Sequence, residues 1–259
     1  VGQTRDEYKN KTENAAMNIL IPIVGSKKKR EESQYIRSLY EIQKKTILQY
    51  VYESLKQISD AKFIVVIRRE DVNRYHLDDM VRLLIPDCSI VISDGETSGS
   101  ACSCLLAVDL LEWDAPLIIA GGDQLMLENP QKVVSAFAHN HYDGGVVVFD
   151  DIHPRWSFVK LDADGMVMEA AEKRPISRNA TTGFYYFQKG QYFVEAAEEM
   201  IKKDASVHGQ YYVCPCFNEM VLANKKIGTY RISKDEYFNF NEQSGIDEYE
   251  RYLKESKDV

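Results

Sequence analysis

The chain has 259 residues, of which 44% are hydrophobic and 28% are charged. These values are typical of a globular protein that buries its own core. The net charge of −8 argues against general binding to nucleic acid, although a local basic loop could still bind phosphates. No run approaches the roughly 20 apolar residues of a membrane span, and residues 1–16 are polar. We therefore expect a flexible leader at 1–16, no signal peptide and a cytoplasmic protein.

Apolar, β-branched runs alternate with helical patterns between residues 17 and 150. The runs predict strands at 18–24, 62–68, 88–93, 115–123 and 144–150. Apolar residues at helical spacing predict helices over 45–58, 77–85, 99–113 and 130–139. The alternation predicts an α/β fold, with a mostly parallel twisted sheet and helices on both faces.

After residue 150 the pattern changes. Residues 156–173 predict an added antiparallel hairpin that turns at Asp164–Gly165. A strand at 182–188, a helix at 192–204, a strand at 226–232 and a helix at 245–253 follow. No internal repeat or linker divides the chain, so we predict a single domain over 17–259.

The five cysteines show no metal-binding spacing. Four of them form two C-x-C pairs in apolar stretches, at 102–104 and 214–216. Zinc sites use C-x-x-C spacing with further ligands, and the five histidines form no H-x-x-H or H-E-x-x-H pattern. We interpret the cysteines as buried, reduced thiols of a cytosolic protein.

The first predicted strand ends at a glycine that precedes a basic run. Gly25 is followed by Lys27, Lys28, Lys29 and Arg30. A strand that ends in glycine before a helix is where α/β proteins bind phosphates. The stretch is either a phosphate-binding loop of altered form or a charged surface turn.

Two acidic positions at predicted strand ends are candidate site residues. Asp123 follows two glycines, which let a ligand approach the backbone, and its carboxylate could hold Mg²⁺ against phosphate oxygens. Glu172 and Lys173 follow the hairpin strand; the lysine could neutralise a phosphoryl group and the glutamate could accept hydrogen bonds from hydroxyls. The alternatives are a Gly-Gly-Asp turn and a solvated ion pair.

Three further groups of polar residues are weaker candidates. Residues 94–103 join a strand to a helix, and the free N–H groups at the start of that helix could bind a base or phosphate. The alternative is that Thr97 or Ser98 simply caps the helix. Residues 181–183 offer hydroxyls and amides, or an ordinary turn. Asn218 and Glu219 lie in an apolar setting, as a structural network or as part of a site.

Several segments, in this order, resemble the sugar-phosphate nucleotidyltransferases, which have a GT-A-like Rossmann-type fold. The segments are MNILIPIVG, TSGSACSCLLA, LIIAGGDQL and AEKRPISRNATTGFYYF. More closely, they resemble the branch from capsule and lipopolysaccharide loci that is often labelled glycosyltransferase family 2. The resemblance implies a Mg²⁺-dependent enzyme that joins a nucleoside triphosphate to a phosphorylated sugar, polyol or similar small molecule. Pyrophosphate would be released, and the product would serve surface polysaccharide biosynthesis.

Carried over residue by residue, the resemblance implies roles for particular side chains. Arg37, Lys173 and Asp123 would be catalytic. The nucleotide would contact Pro22, Ile23, Gly25, Lys27, Lys28, Arg30, Thr97, Ser98, Gly99, Ser100 and Gly122. The acceptor would contact Glu172, Lys173, Thr181, Thr182, Gly183 and Asn218, and Mg²⁺ would bind Asp123 and Glu219. Residues 17–150 would form the nucleotide-binding half and 151–259 the acceptor-binding half, and assembly into a homo-oligomer stays open.

The opening segment departs from the family pattern, which is G-x-G-x-R followed by P-K-P. The later glycines are absent, Arg37 stands at the lysine position and Ile36 at the first proline. Side chains of residues 27–30 would supply the phosphate charge that the family takes from backbone amides, which favours the divergent phosphate loop. The small, hydroxyl-rich segment 96–103 favours CTP or UTP. Two alternatives remain: a GT-A glycosyltransferase that uses an NDP-sugar, and a degenerate protein that only binds a nucleotide or metabolite.

Overall fold

The computed structural model describes residues 16–24 and 36–256. Nine of the strands in this part of the chain form one sheet. They are β1 (Met17–Ile23), β4 (Ala61–Arg68), β5 (Ser89–Ser93), β6 (Leu117–Ile119), β8 (Gly144–Asp150), β9 (Ser157–Leu161), β10 (Val167–Glu172), β11 (Asn179–Phe187) and β12 (Ile227–Arg231). Two small ribbons complete the strands: β2 (Glu41–Ile42) with β3 (Lys45–Thr46), and β7 (Gln124–Met126) with β13 (Tyr237–Asn239).

The strand order β10-β9-β11-β6-β1-β4-β5 confirms the predicted α/β sheet. The central strands β6, β1, β4 and β5 are parallel, so their carboxyl ends meet at one edge. The predicted hairpin is the antiparallel pair β9–β10, and Gly165 in its turn has a φ of 79°. β8 pairs with β11 and β12 beside the main path.

Helices cover both faces of the sheet. They are α1 (Ile47–Leu55), α2 (Arg69–Tyr75), α3 (Leu77–Leu84), α4 (Ser100–Leu105), α5 (Pro130–His139), α6 (Gly190–Lys202), α7 (Cys216–Leu222) and α8 (Gln243–Glu255). Alternate residues of β1 point to opposite faces: Ile19 and Ile21 pack with α1, α5 and α8, whereas Leu20 packs with α4, α6 and α7. Both faces of the central strands are buried, which explains their continuous apolar runs.

Two predicted elements are less than half as long as the sequence pattern indicated. The helix predicted over 99–113 ends at Leu105, because Leu106 and Ala107 donate to carbonyls three residues back, and a 3-10 turn follows at Val108–Leu110. The strand predicted over 115–123 is paired only at Leu117–Ile119. The residues after it turn away from the sheet and enter β7.

Other features of the sequence analysis have direct counterparts. None of the helices within 16–24 and 36–256 is long and apolar enough to cross a bilayer. The five cysteines are unbonded; Cys104, Cys214 and Cys216 are buried as predicted, whereas Cys88 and Cys102 are only half-buried. Apart from residue 16, the predicted leader lies outside the described residues, as does the basic stretch 25–35.

Candidate active site

A cleft of about 630 Å³ opens at the carboxyl ends of the parallel strands. Ligands of open α/β sheets bind at this edge, where loops from adjacent strands converge. The residues predicted for a site that line it are Pro22, Ile23, Arg37, Thr97, Gly99, Ser100, Gly122, Asp123, Glu172, Lys173 and Gly183. These come from segments far apart in sequence, so the fold brings them together.

Four predicted residues have side chains occupied elsewhere and do not line the cleft. Asn218, on α7, exchanges hydrogen bonds of 2.7 and 2.8 Å with the backbone of Ala170 and so ties the helix to β10. Glu219 accepts a hydrogen bond of 2.5 Å from Lys203 at the end of α6. The structure therefore does not bring Glu219 beside Asp123 as the predicted second metal ligand.

The other two predicted residues, Thr181 and Thr182, lie on β11, and their hydroxyls face polar atoms of the sheet. The Thr181 hydroxyl lies 3.1 Å from that of Tyr185, and the Thr182 hydroxyl lies 3.4 Å from the carbonyl of Val147 on β8. Both threonines are buried. The backbone carbonyl of Ser98 accepts a hydrogen bond of 2.7 Å from the backbone amide of Tyr211. The predicted nucleotide-binding residues Gly25, Lys27, Lys28 and Arg30 lie outside the described residues.

Asp123 is held in a tight turn between β6 and β7. A side chain at Gly122 would approach Ile23 Cγ1 to 3.0 Å, so the turn lies close to the end of β1. The Asp123 carbonyl accepts a hydrogen bond of 3.0 Å from the amide of Phe240. Asp123 thus lines the cleft on a backbone that is fixed from two sides.

Asn241 is a cleft residue that the sequence analysis missed. It follows β13, whose pairing with β7 sets Asn239 opposite Gln124 and carries Asn241 into the lining together with Asp123. The backbone amide of Asn241 donates a hydrogen bond of 2.9 Å to the side-chain oxygen of Asn239, and this bond fixes the turn. The only signal in the sequence was the polar FNFN pattern before the last helix.

Lys173 is fixed by backbone and side-chain contacts. Its φ is 53°, a left-handed conformation that costs a non-glycine residue energy, and its amide donates to the carbonyl of Trp156 at 3.0 Å. Its Nζ donates to the hydroxyl of Tyr212 at 2.8 Å and lies 4.7 Å from the centre of that ring. The neighbouring Glu172 accepts a hydrogen bond from the hydroxyl of Ser157. A cation and a carboxylate therefore stand next to each other along one wall.

The segment 97–103 contributes Thr97, Gly99, Ser100 and Ser103 to the cleft lining, and its conformation depends on Gly99. That glycine has a φ of 111°, and a Cβ there would meet the carbonyl oxygen of Tyr211 at 2.3 Å. The hydroxyls of Thr97 and Ser103 lie 2.5 Å apart, and Ser103 also donates to the Gly99 carbonyl at 3.2 Å. Because α4 has only six residues, the hydroxyls and loop amides of this segment, rather than a long helix, are what it offers a ligand.

We expect Gly99→Ala to lower the free energy of unfolding by about 1–3 kcal/mol, because the left-handed backbone and the contact with Tyr211 both oppose a side chain. Gly165→Ala is the matched control: its φ is also positive, but a Cβ there meets nothing within 4 Å. Urea denaturation of both variants measures the difference. Equal losses of stability would contradict the close approach at Gly99.

Two ionisable groups that line the cleft, Cys214 and Tyr185, have raised pKa values. Burial raises the pKa of the Cys214 thiol well above its usual range, and the charge of Glu172 raises it further. Burial likewise raises the pKa of the Tyr185 phenol. Neither group can supply a nucleophile at neutral pH, since the thiolate, not the thiol, is nucleophilic. The charged groups that line the cleft are suited to positioning and charge stabilisation.

The oxygen ligands in the cleft suit a hard cation. Among residues 16–24 and 36–256, no three His, Cys, Asp or Glu side chains form a metal-binding group. Mg²⁺ does not need such a group, because it commonly binds one or two protein oxygens and completes its shell with water and substrate phosphates. Asp123 and Asn241 could supply those oxygens from adjoining turns.

A family model for nucleotidyl transferases matches residues 33–225 of the chain. A bifunctional protein GlmU from Streptococcus pyogenes serotype M28 is 25% identical over 241 residues, which cover 89% of this chain and 49% of that protein. A GlmU protein from Streptococcus agalactiae serotype III is 22% identical over the same shares. The chain thus spans about half the length of these curated relatives.

Solved structures share the fold. The nucleoside-diphosphate-sugar pyrophosphorylase from Vibrio cholerae RC9 superimposes with a TM-score of 0.75 at 22% identity, over 90% of this chain and 99% of that one. A UDP-glucose pyrophosphorylase complexed with UDP-glucose gives a TM-score of 0.72 at 15% identity, over 92% and 99% of the two chains. At these identities the likeness concerns the fold, whereas the family model covers most of the sequence. The chain therefore belongs to the nucleotidyl transferase family, as its sequence motifs predicted.

Proposed function

We propose that the protein transfers a nucleotidyl group from a nucleoside triphosphate, CTP or UTP, to a phosphorylated sugar, polyol or similar small molecule. A phosphate oxygen of the acceptor attacks the α-phosphorus, the bond from that phosphorus to the bridging oxygen breaks, and pyrophosphate leaves. The observation that carries this proposal is the presence of Asp123, Lys173 and Arg37 along one cleft at the carboxyl edge of the sheet. Such a reaction needs in-line positioning and charge neutralisation, which is what these groups offer.

Each side chain has a proposed role. Arg37 neutralises charge on the triphosphate, Lys173 binds the acceptor phosphate, and Glu172 accepts hydrogen bonds from acceptor hydroxyls. Asp123 and Asn241 would hold Mg²⁺, which supplies charge neutralisation at the phosphate oxygens when bound. Asn241 takes the place that the sequence analysis gave to Glu219.

The choice of substrates rests on smaller observations. The hydroxyl-rich segment 97–103 offers small groups to a pyrimidine, and a structural neighbour was solved with UDP-glucose. The polar pair of Glu172 and Ser157 suits an acceptor with hydroxyls. We propose that residues 17–150 bind the nucleotide, that residues 151–259 bind the acceptor, and that the product enters surface polysaccharide synthesis.

Pyrophosphate release tests this proposal. The protein is incubated with Mg²⁺, each nucleoside triphosphate and pooled sugar, polyol and amino-alcohol phosphates. Release that requires one triphosphate and one acceptor is expected. Thermal shifts with NDP-sugars but not with triphosphates would favour the glycosyltransferase alternative, and shifts with neither would favour loss of nucleotide binding.

A further inference from the structure

Arg68 is a buried cation that the proposed mechanism does not use. It is the last residue of β4, is 7% exposed and lines the cleft. Its Nη2 donates to Glu70 at 2.8 Å, whereas its Nη1 has no hydrogen-bond partner among the described residues. The nearest carboxylate to Nη1 is that of Glu96 at 3.8 Å, which is too long for a hydrogen bond. A buried N–H group without an acceptor is costly, so this one calls for an explanation.

We propose that Arg68 binds the base of the nucleotide, and not its phosphates, through the N–H groups of Nη1. This inference rests on the proposed function, since it assigns one end of the same cleft to the nucleoside. Nη1 is buried, and the Glu96 side chain beside it is 54% exposed, so rotation of that side chain is the movement that would admit a base.

The charges around Arg68 favour a neutral ligand atom. Two carboxylates, Glu70 and Glu96, flank the single guanidinium, and a phosphate there would meet their repulsion. In contrast, the ammonium of Lys173 contacts a phenol, and Arg37 has no ion pair with any residue in the described ranges. Those two cations remain available to phosphates. The charge of Arg68, in contrast, is already balanced by the two carboxylates, and only the N–H groups of its Nη1 are unused.

The position of Arg68 in the sheet agrees with this division. The order β6-β1-β4-β5 places the end of β4 two strands away from the turn that carries Asp123. At about 4.8 Å per strand the separation is roughly 10 Å across the sheet. A nucleotide with its phosphates at Asp123 would extend its ribose and base along this edge, toward Arg68 and the loop after β5.

The pair of Arg68 and Glu96 matches the chemistry of a base edge. The Watson–Crick edge of each base presents an acceptor next to an N–H donor, and proteins read it with hydrogen bonds. Nη1 would donate to the acceptor on the base edge, and the carboxylate of Glu96, after its rotation, would accept from the neighbouring donor. Nη1 then gains the acceptor that it lacks without a ligand.

Calorimetric titration tests the proposal, using the nucleoside triphosphate that binds best and inorganic tripolyphosphate, each with Mg²⁺. Arg68→Gln is expected to weaken binding of the nucleotide at least about 10-fold, the effect of losing a hydrogen bond to a charged donor. Tripolyphosphate affinity should stay unchanged. Arg69→Gln is the matched control, because Arg69 is adjacent, pairs with Asp94 at 2.9 Å and does not line the cleft.

Arg68→Lys provides a second variant in case glutamine prevents folding, since it keeps the charge beside Glu70 but lacks the guanidinium fork. It is expected to show the same loss for the nucleotide alone. Equal losses for nucleotide and tripolyphosphate would overturn the proposal in favour of a phosphate contact, and unchanged affinity for both would also overturn it. Failure of the unaltered protein to bind any triphosphate would refute the proposed function itself, and is recognised without the variants.

Discussion

Replacing Asp123 with asparagine is expected to lower the rate of pyrophosphate release by at least about 100-fold, the scale seen when one preorganised electrostatic group is removed from an active site. The carboxylate is the charged oxygen ligand proposed for Mg²⁺, and it sits in a turn that is fixed by β13. The amide has the same shape, so the turn should persist. Steady-state rates at saturating substrate, with melting temperature as a check on folding, measure the effect.

Glu219→Gln is the control for this experiment. The sequence analysis named Glu219 as a weaker candidate for a metal ligand beside Asp123, but the structure pairs it with Lys203 outside the cleft. Glutamine can still accept from that lysine, so activity should stay within about twofold of the unaltered protein. A loss at Glu219 with activity retained at Asp123 would refute the proposed metal site.

Replacing Lys173 with methionine is expected to raise KM for the acceptor at least about 10-fold with a smaller effect on KM for the nucleotide. The physical reason is the loss of a charge-assisted contact to the acceptor phosphate, worth about 1.5–3 kcal/mol. Tyr212→Phe should have a weaker effect in the same direction, since the phenol holds Nζ at 2.8 Å. Initial rates with each substrate varied in turn separate the two constants.

Lys189→Met is the control, because Lys189 pairs with the exposed Asp114 at 2.6 Å and does not line the cleft. It should leave both constants unchanged. If Lys173→Met raised KM only for the triphosphate, the assignment of the two ends of the cleft would have to be reversed.

Strands and helices with strong apolar periodicity could be predicted from the sequence. The continuous run at 62–68 became β4, buried on both faces. The 130–139 pattern became α5, which begins at Pro130 and is capped by the Asn129 side chain, which accepts from the amides of Gln131 and Lys132. Such segments are determined locally, because burial of the periodic face and the capping residue point to the same structure.

Elements that depend on distant partners could not be predicted. β7 and β13 are three residues each and exist because they pair with each other across more than a hundred positions of sequence. Asn241 lines the cleft only through that pairing. α7 likewise packs against α6 and β10, and its short apolar segment carried no capping signal.

The candidate site was predictable where a motif marks a strand end, as at Asp123 and Lys173. It was not predictable for polar residues in an apolar run, such as Asn218 and Glu219. Whether such a side chain points into the cleft or away from it depends on the residues that it contacts in the folded protein. Arg68 gave no signal because an arginine at the end of a strand is usually solvated; only its burial and its unpartnered Nη1 distinguish it.

The most direct test of the central claim is to follow which products receive the α- and γ-phosphates of the triphosphate. The protein is incubated with Mg²⁺, the acceptor pool and the preferred triphosphate labelled at either the α- or the γ-phosphate. Nucleotidyl transfer predicts that the α label enters a new product with the acceptor and that the γ label appears in pyrophosphate, in equal amounts. Label from the γ-phosphate in the acceptor, or in free phosphate alone, would contradict the account, because it would mean phosphoryl transfer or hydrolysis.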